Sequence, residues 1–291
     1  GNNNSNYGDF DKYLSLFRYK FKNDKSDISG YTVLKNKNAI LAMDTGSTPG
    51  KQYSENYQSG PLSFEFFFKD RKLITNSGYF QNHNHQLNGI SKSTATHSTL
   101  ILDNSSVCNF KKNSNGKSFI NKGFKTFDNQ VTYEKDYWKI QSSHDGYLTR
   151  YGVIHQRNLE YYSDKNIIIG KDKLIKKKNF KSTNFEIRFH LLPNIKVTKL
   201  QDDETVLIEL ENSGWRFFSN GGKVGVETGL YRPAPPPPEP PLCQFASEEH
   251  LLPPLPPPDD VIVLKTEFEP TCPIYEFEPV APAAPPPTVT G

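Results

Sequence analysis

The chain carries seven histidines, and their spacing decides what chemistry they can do. His83 and His85 stand one residue apart in QNHNHQLNG, and His97 follows in ATHST. On a strand, an H-x-H pair presents both imidazoles on one face, and a third histidine would complete a zinc-type set. The stretch around the pair is rich in Asn and Gln and reads as a polar loop. Loop histidines without Cys or carboxylate neighbours are more often solvated than metal-bound. His83, His85 and His97 are therefore weak metal candidates. His144 precedes Asp145-Gly146, a turn signal, and is expected to be structural. His155 and His190 alternate with apolar neighbours and are expected to pack at a sheet surface. Arg150, Arg157 and Arg188 suit a polyanion groove and equally the solvent face of a sheet.

Other chemistries find little support. GGKVG at 221–225 has the wrong spacing for a phosphate-binding loop and reads as a hairpin turn. No G-x-S-x-G nucleophile elbow occurs. Cys108, Cys243 and Cys272 are too few and too scattered for a disulfide framework or a zinc knuckle. No apolar run approaches the roughly 18 residues that a membrane span needs.

The elements that must position these side chains are strands. In LSFEFFF (62–68), Leu62, Phe64, Phe66 and Phe68 alternate with Ser63, Glu65 and Phe67. In NFEIRFHLL, Phe185, Ile187, Phe189 and Leu191 share one face, as Val206, Ile208 and Leu210 do in ETVLIELE. A period of two is what half-buried antiparallel strands require. Asn115-Gly116 and Gly221-Gly222 supply hairpin-type turns. Such runs recur from about residue 28 to 231 without helical patterns between them, which predicts an all-β antiparallel sandwich over 28–232. Residues 1–27 form a lead-in that opens on an Asn-rich stretch, with a short helix or strand at 13–21. The chain opens on Gly and holds one Met, Met43, and reads as a fragment whose natural start lies upstream.

Beyond 232 the composition changes. Residues 233–291 hold 19 of the 22 prolines and sum to −8 in charge, leaving +11 on residues 1–232. Proline runs favour polyproline II over sheet, so this acidic segment is expected to be a disordered tail, with an edge strand available at 261–269. A basic body suits a polyanion, but charge alone does not choose between nucleic acid and acidic polysaccharide. The aromatics fit core positions better than a nucleic-acid stacking surface.

The segment 61–104, PLSFEFFFKDRKLITNSGYFQNHNHQLNGISKSTATHSTLILDN, runs strand, Asn-Ser-Gly turn, polar loop, His-led strand. In that order it resembles the C-terminal domain of heparinase II/III-like polysaccharide lyases. The likeness continues through SSHDGYLTRYGVIHQRNLEYY (142–162), similar to the family's Gly-Tyr and His-x-Arg phrases. It extends to FEIRFHLLPNI (185–195), similar to its RFHLHP strand. The resemblance implies the β-sandwich half of an enzyme whose other half is an upstream helical toroid. It implies β-elimination on uronic-acid polysaccharides, no cofactor, and a periplasmic or extracellular setting. Such chemistry needs the uronate carboxylate neutralised, a base for the C5 proton and an acid for the C4 oxygen.

Measured against that pattern, the chain departs at the residues that matter. Asn56-Tyr57-Gln58 stands where the family writes His-x-His, so the sandwich's catalytic His position is Asn56. Asn76 replaces the turn Asp of the family's metal set, and only His97 remains of its three ligands. Amides are poor zinc ligands, and an amide cannot act as a base. Gln58, Asn76, His97 and Lys92 are then the expected substrate-binding residues, with Asn76 expected to hydrogen-bond His97 in place of metal. The alternative is a carbohydrate-binding or architectural sandwich that has lost the lyase residues, with Tyr161 and Tyr162 as stacking platforms.

Overall fold

The computed structural model describes residues 25–28, 30–69, 71–177, 179–180, 184–210, 213–220, 222–231, 259–268 and 274–280. The lead-in element expected at 13–21 lies outside the described residues. The described residues form an all-β antiparallel sandwich. One sheet takes β1 (Lys25–Ile28), β2 (Tyr31–Lys35), β3 (Ala39–Asp44), β4 (Phe64–Phe68) and β5 (Arg71–Ile74) in chain order. The hairpin β7 (Asn109–Lys112) and β8 (Ser118–Lys122) turns through Asn115-Gly116, where Gly116 has φ +77°.

Eight strands form the opposing layer: β9 (Thr126–Tyr133), β10 (Tyr137–His144), β11 (Val153–Tyr162), β12 (Ile167–Lys176), β14 (Lys196–Lys199), β15 (Thr205–Leu210), β16 (Ser213–Asn220) and β19 (Ile274–Val280). A four-stranded sheet contains β17 (Lys223–Tyr231), β18 (Asp259–Phe268), β13 (Phe185–His190) and β6 (Leu100–Leu102). An antiparallel bridge between Thr75 and His190 joins it to the five-stranded sheet, so the two continue as one layer. Phe66 meets Trp215 and Tyr161 across the core at ring-centroid distances of 6.0 and 5.4 Å, and Phe189 meets Phe277 at 5.4 Å. These aromatic contacts fix the spacing of the layers, because each ring buries a large area in one orientation.

The sandwich does not stop at 232. β18 lies between β17 and β13, an interior place instead of the expected edge, and β19 lies between β16 and β12. The physical reason is local. Within 259–280 the proline runs give way to VIVLKTEF and IYEF, and Tyr275 and Phe277 alternate into the core, both fully buried. The expected tail contributes these two strands, and its remaining residues lie outside the described ones.

Candidate functional site

The cleft of interest opens where β3 and β4 meet the turn after β5, and encloses 290 Å³. Asn56, Tyr57, Gln58 and Gly60 line it from the segment before β4. Asn76 and Gly78 line it from the turn, and His97 from the segment before β6. Tyr31, Asp44, Ser63 and Glu65 complete the wall from the sheet itself. Asn56, at the family's catalytic His position, and three of the four expected substrate-binding residues, Gln58, Asn76 and His97, thus share one cavity. Lys92 does not. It is buried, its Nζ donates to the Glu55 carbonyl, and it lies over the rings of Tyr79 and Phe110. Burial pushes its pKa down.

Local hydrogen bonds hold His97, Asn76 and Asn56. His97 is nine-tenths and more buried, and its Nδ1 donates to the Ser93 carbonyl at 2.8 Å, which leaves Nε2 as the ring's acceptor. Burial lowers its pKa to about 4, so the ring is neutral. Gly60 packs on the face of this imidazole so closely that a Cβ there would overlap ring atoms. Asn76 does not bond the imidazole. Its Oδ1 accepts from the backbone N–H of Ser98 at 2.8 Å, and its Nδ2 donates to Glu65 at 3.3 Å. Asn56 accepts from the Tyr79 hydroxyl at 3.2 Å. Glu65 also pairs with Lys72 at 2.7 Å.

The donor set does not suit the family's metal. Both oxygen-bearing side chains at the ligand positions are neutral amides, Asn76 is already committed on both its ends, and His97 is the one imidazole. The other weak set is not assembled either. His83 Nε2 lies 3.4 Å from Glu55, while His85 caps helix α1 (Gln86–Ser91) by accepting from Leu87 N at 3.2 Å. No group of three or more potential ligands occurs among the described residues.

Behind the cleft sits a buried charge network that sequence reasoning placed at the surface. Arg157 and Asp172 face each other across β11 and β12, both fully buried. Arg157 Nε and Nη2 donate to the two carboxylate oxygens at 2.9 and 3.0 Å. Its Nη1 donates to the carbonyls of Leu62 at 2.9 Å and Ser98 at 2.8 Å. The guanidinium therefore ties together the residue that enters β4 and the residue after His97. Leu62 needs such a tie. It adopts φ +57°, a left-handed conformation that costs a bulky residue about 1–3 kcal/mol.

His155 and His144 extend the network. His155 Nε2 lies 2.5 Å from Asp172, His144 Nε2 lies 3.1 Å from His155 Nδ1, and Gly146 N donates to His144 Nδ1. One tautomer pattern satisfies every bond: both rings carry their proton on Nε2 and accept at Nδ1. Burial lowers both pKa values, so both rings are neutral and the Arg157–Asp172 pair holds the charge. Burial alone would raise Asp172. Arg157 outweighs it, with help from the His155 hydrogen bond, and holds the carboxyl at about 2. His190 is likewise interior, between Ser77 and the Ala95 carbonyl, each at 3.1 Å. Of the other arginines, Arg188 pairs with Glu186 at 2.5 Å, and Arg150 sits on the single turn α2 (Leu148–Tyr151). The three arginines do not form a groove. Tyr161 is fully buried against Trp138 and Phe66, and is no stacking platform.

Sequence reasoning missed Asp44, Tyr31 and Tyr57 as cleft residues. Asp44 ends β3, and its backbone N–H donates to the Ser63 carbonyl at 2.9 Å. Only strand pairing brings it beside 56–58, and its sole local sign is a charged residue ending the apolar run AILAM.

An antiparallel β-sandwich with a polar cleft at the entry to one strand defines the class. A family model described as heparinase II/III-like, C-terminal, matches residues 24–242, and the chain belongs to that family. Among solved structures, heparan sulfate lyase HepC from Pedobacter heparinus is similar with a TM-score of 0.66 and 14% identity, covering 98% of this chain and 43% of that one. A heparinase III, the BT4657 gene product with methylated lysines, is similar with a TM-score of 0.65 and 12% identity, covering 94% of this chain and 40% of that one. The chain thus spans about two fifths of the length of those structures. A search of curated proteins finds no match.

Proposed function

We propose that this sandwich is one half of a polysaccharide lyase, and that its cleft faces a uronic-acid glycan cleaved by β-elimination. The observation that carries the reading is the convergence of Asn56, Gln58, Asn76 and His97 in one cavity. The Asn56 and Gln58 amides there can hydrogen-bond an acidic sugar but cannot take its C5 proton. His97, with a pKa near 4, is too weak a base for neutral pH. The base and most of the charge neutralisation must then come from a partner domain, in keeping with an upstream helical toroid.

The same amides favour a second reading, a sandwich that binds glycan and has lost catalysis. One experiment separates the two. The full-length protein and this chain are each incubated with a panel of acidic glycans, and unsaturated uronate is followed by absorbance. Product from the full-length protein alone supports the lyase. Binding by both without product supports the second reading, and neither binding nor product from either sinks both.

A further inference from the structure

We infer that the part of the cleft built by Asp44 and Tyr57, with Tyr31 at its rim, is a subsite that takes the carboxylate of an acidic sugar by hydrogen-bond donation instead of by a cation. This rests on the glycan-binding reading above.

Among the described residues, Asp44 is buried without a partner cation. Its side chain is 8% exposed and accepts one bond, from Gly46 N to Oδ1 at 3.1 Å. No Lys or Arg pairs with it among the described residues. The cations of the neighbourhood are committed elsewhere: Lys72 to Glu65, and Arg157 to Asp172. The Tyr57 hydroxyl is buried at the same place and has no hydrogen-bond partner, an orphan donor that a ligand would satisfy. Tyr31 stands at the rim, half exposed.

Every titratable group facing Asp44 is neutral or negative. Burial raises the pKa of Tyr31 and of Tyr57, and raises the Cys108 thiol to about 12. His97 in the same cleft is neutral, and Glu65 on β4 is paired with Lys72. Burial, opposed only by the Gly46 N–H, therefore lifts the Asp44 carboxyl to about 7. Below that pH the carboxyl is a donor, and with the Tyr57 hydroxyl it can hold a carboxylate between two O–H groups. Above it, Asp44 and the sugar acid repel.

This chain is titrated calorimetrically with oligoglucuronate and with an uncharged glucose oligomer, at about pH 5.5 and about pH 8.5. One pKa unit corresponds to a tenfold change in protonated population, so affinity for the acid should fall by about tenfold or more on going up, while the neutral probe stays level. Asp44→Asn keeps a donor at every pH, so its affinity for the acid should be independent of pH. Tyr57→Phe should weaken acid binding at low pH. A flat or rising affinity for oligoglucuronate overturns the inference, as does an Asp44→Asn variant with the wild-type pH dependence. If neither probe nor any acidic glycan binds at either pH, the glycan reading falls with it, whereas acid binding without pH dependence removes only the Asp44 subsite.

Discussion

Replacing Arg157 by methionine tests whether the buried ion pair holds the cleft segments in place. Methionine keeps much of the side-chain volume and removes the charge with its four hydrogen bonds. It strands the Asp172 carboxylate, and it leaves the Leu62 and Ser98 carbonyls without this donor. Breaking one side of a buried pair costs roughly 3–5 kcal/mol, and an unsatisfied buried acceptor roughly 1–3 kcal/mol. The terms overlap, so a deficit of about 5 kcal/mol is expected, comparable with the whole stability of many domains.

Urea unfolding, followed by fluorescence of the buried Trp138 and Trp215, measures that deficit, and its pH dependence identifies the cause. In the native protein Asp172 titrates at about 2, below its unfolded value. It therefore contributes stability that is present above the unfolded pKa and is lost as pH falls through about 2. In the variant, burial acts unopposed by Arg157 and the carboxyl titrates upward, so acid relieves the penalty. The gap between wild type and variant should narrow from about pH 8 to about pH 5. Removing both charges, as Arg157→Met with Asp172→Leu, should recover much of the loss. A deficit below about 1 kcal/mol, or one equal at both pH values, would show that the ion pair does not hold these segments.

Three further outcomes follow from the same geometry. Gly60→Ala should cost about 1–3 kcal/mol, because its Cβ meets the His97 ring, and an unchanged urea midpoint would show that the imidazole can move aside. Asn76→Asp should destabilise by about 1–3 kcal/mol at alkaline pH, since it trades the donor to Glu65 for a like charge, and the loss should shrink in acid; thermal melts at two pH values decide. His97 and His190, at about 4 and about 3, sit below their unfolded value, so the unfolded chain gains protons first as pH drops below about 6.5. Stability should therefore fall by several kcal/mol between about pH 6.5 and about pH 4, less steeply in His190→Gln, and a flat urea midpoint over that range would contradict the buried neutral rings.

The strands were legible because period two is written into them. Phe64 and Phe66 in β4, and Phe185, Ile187 and Phe189 in β13, are all buried. The cleft was legible only through the order of phrases, since Asn56, Asn76 and His97 lie far apart in the chain. Asp44 was not legible, because its burial is made by strand pairing, and its one local sign, a charge closing the run AILAM, does not place it in a cleft. The buried network was misread for a different reason. In β11 the positions 153, 155, 157, 159 and 161 share the inner face, and alternation assigns them correctly. The error lay in supposing that His155 and Arg157, being polar, must point to solvent. Their parity with Val153, Leu159 and Tyr161 already put them inside, and the parity of Ile168 put Asp172 there too. A cation and an anion that fall on the apolar parity of two successive strands are best accommodated by meeting. That makes Arg157–Asp172 a contact the sequence implies, and the histidines beside it follow as its hydrogen-bonding shell.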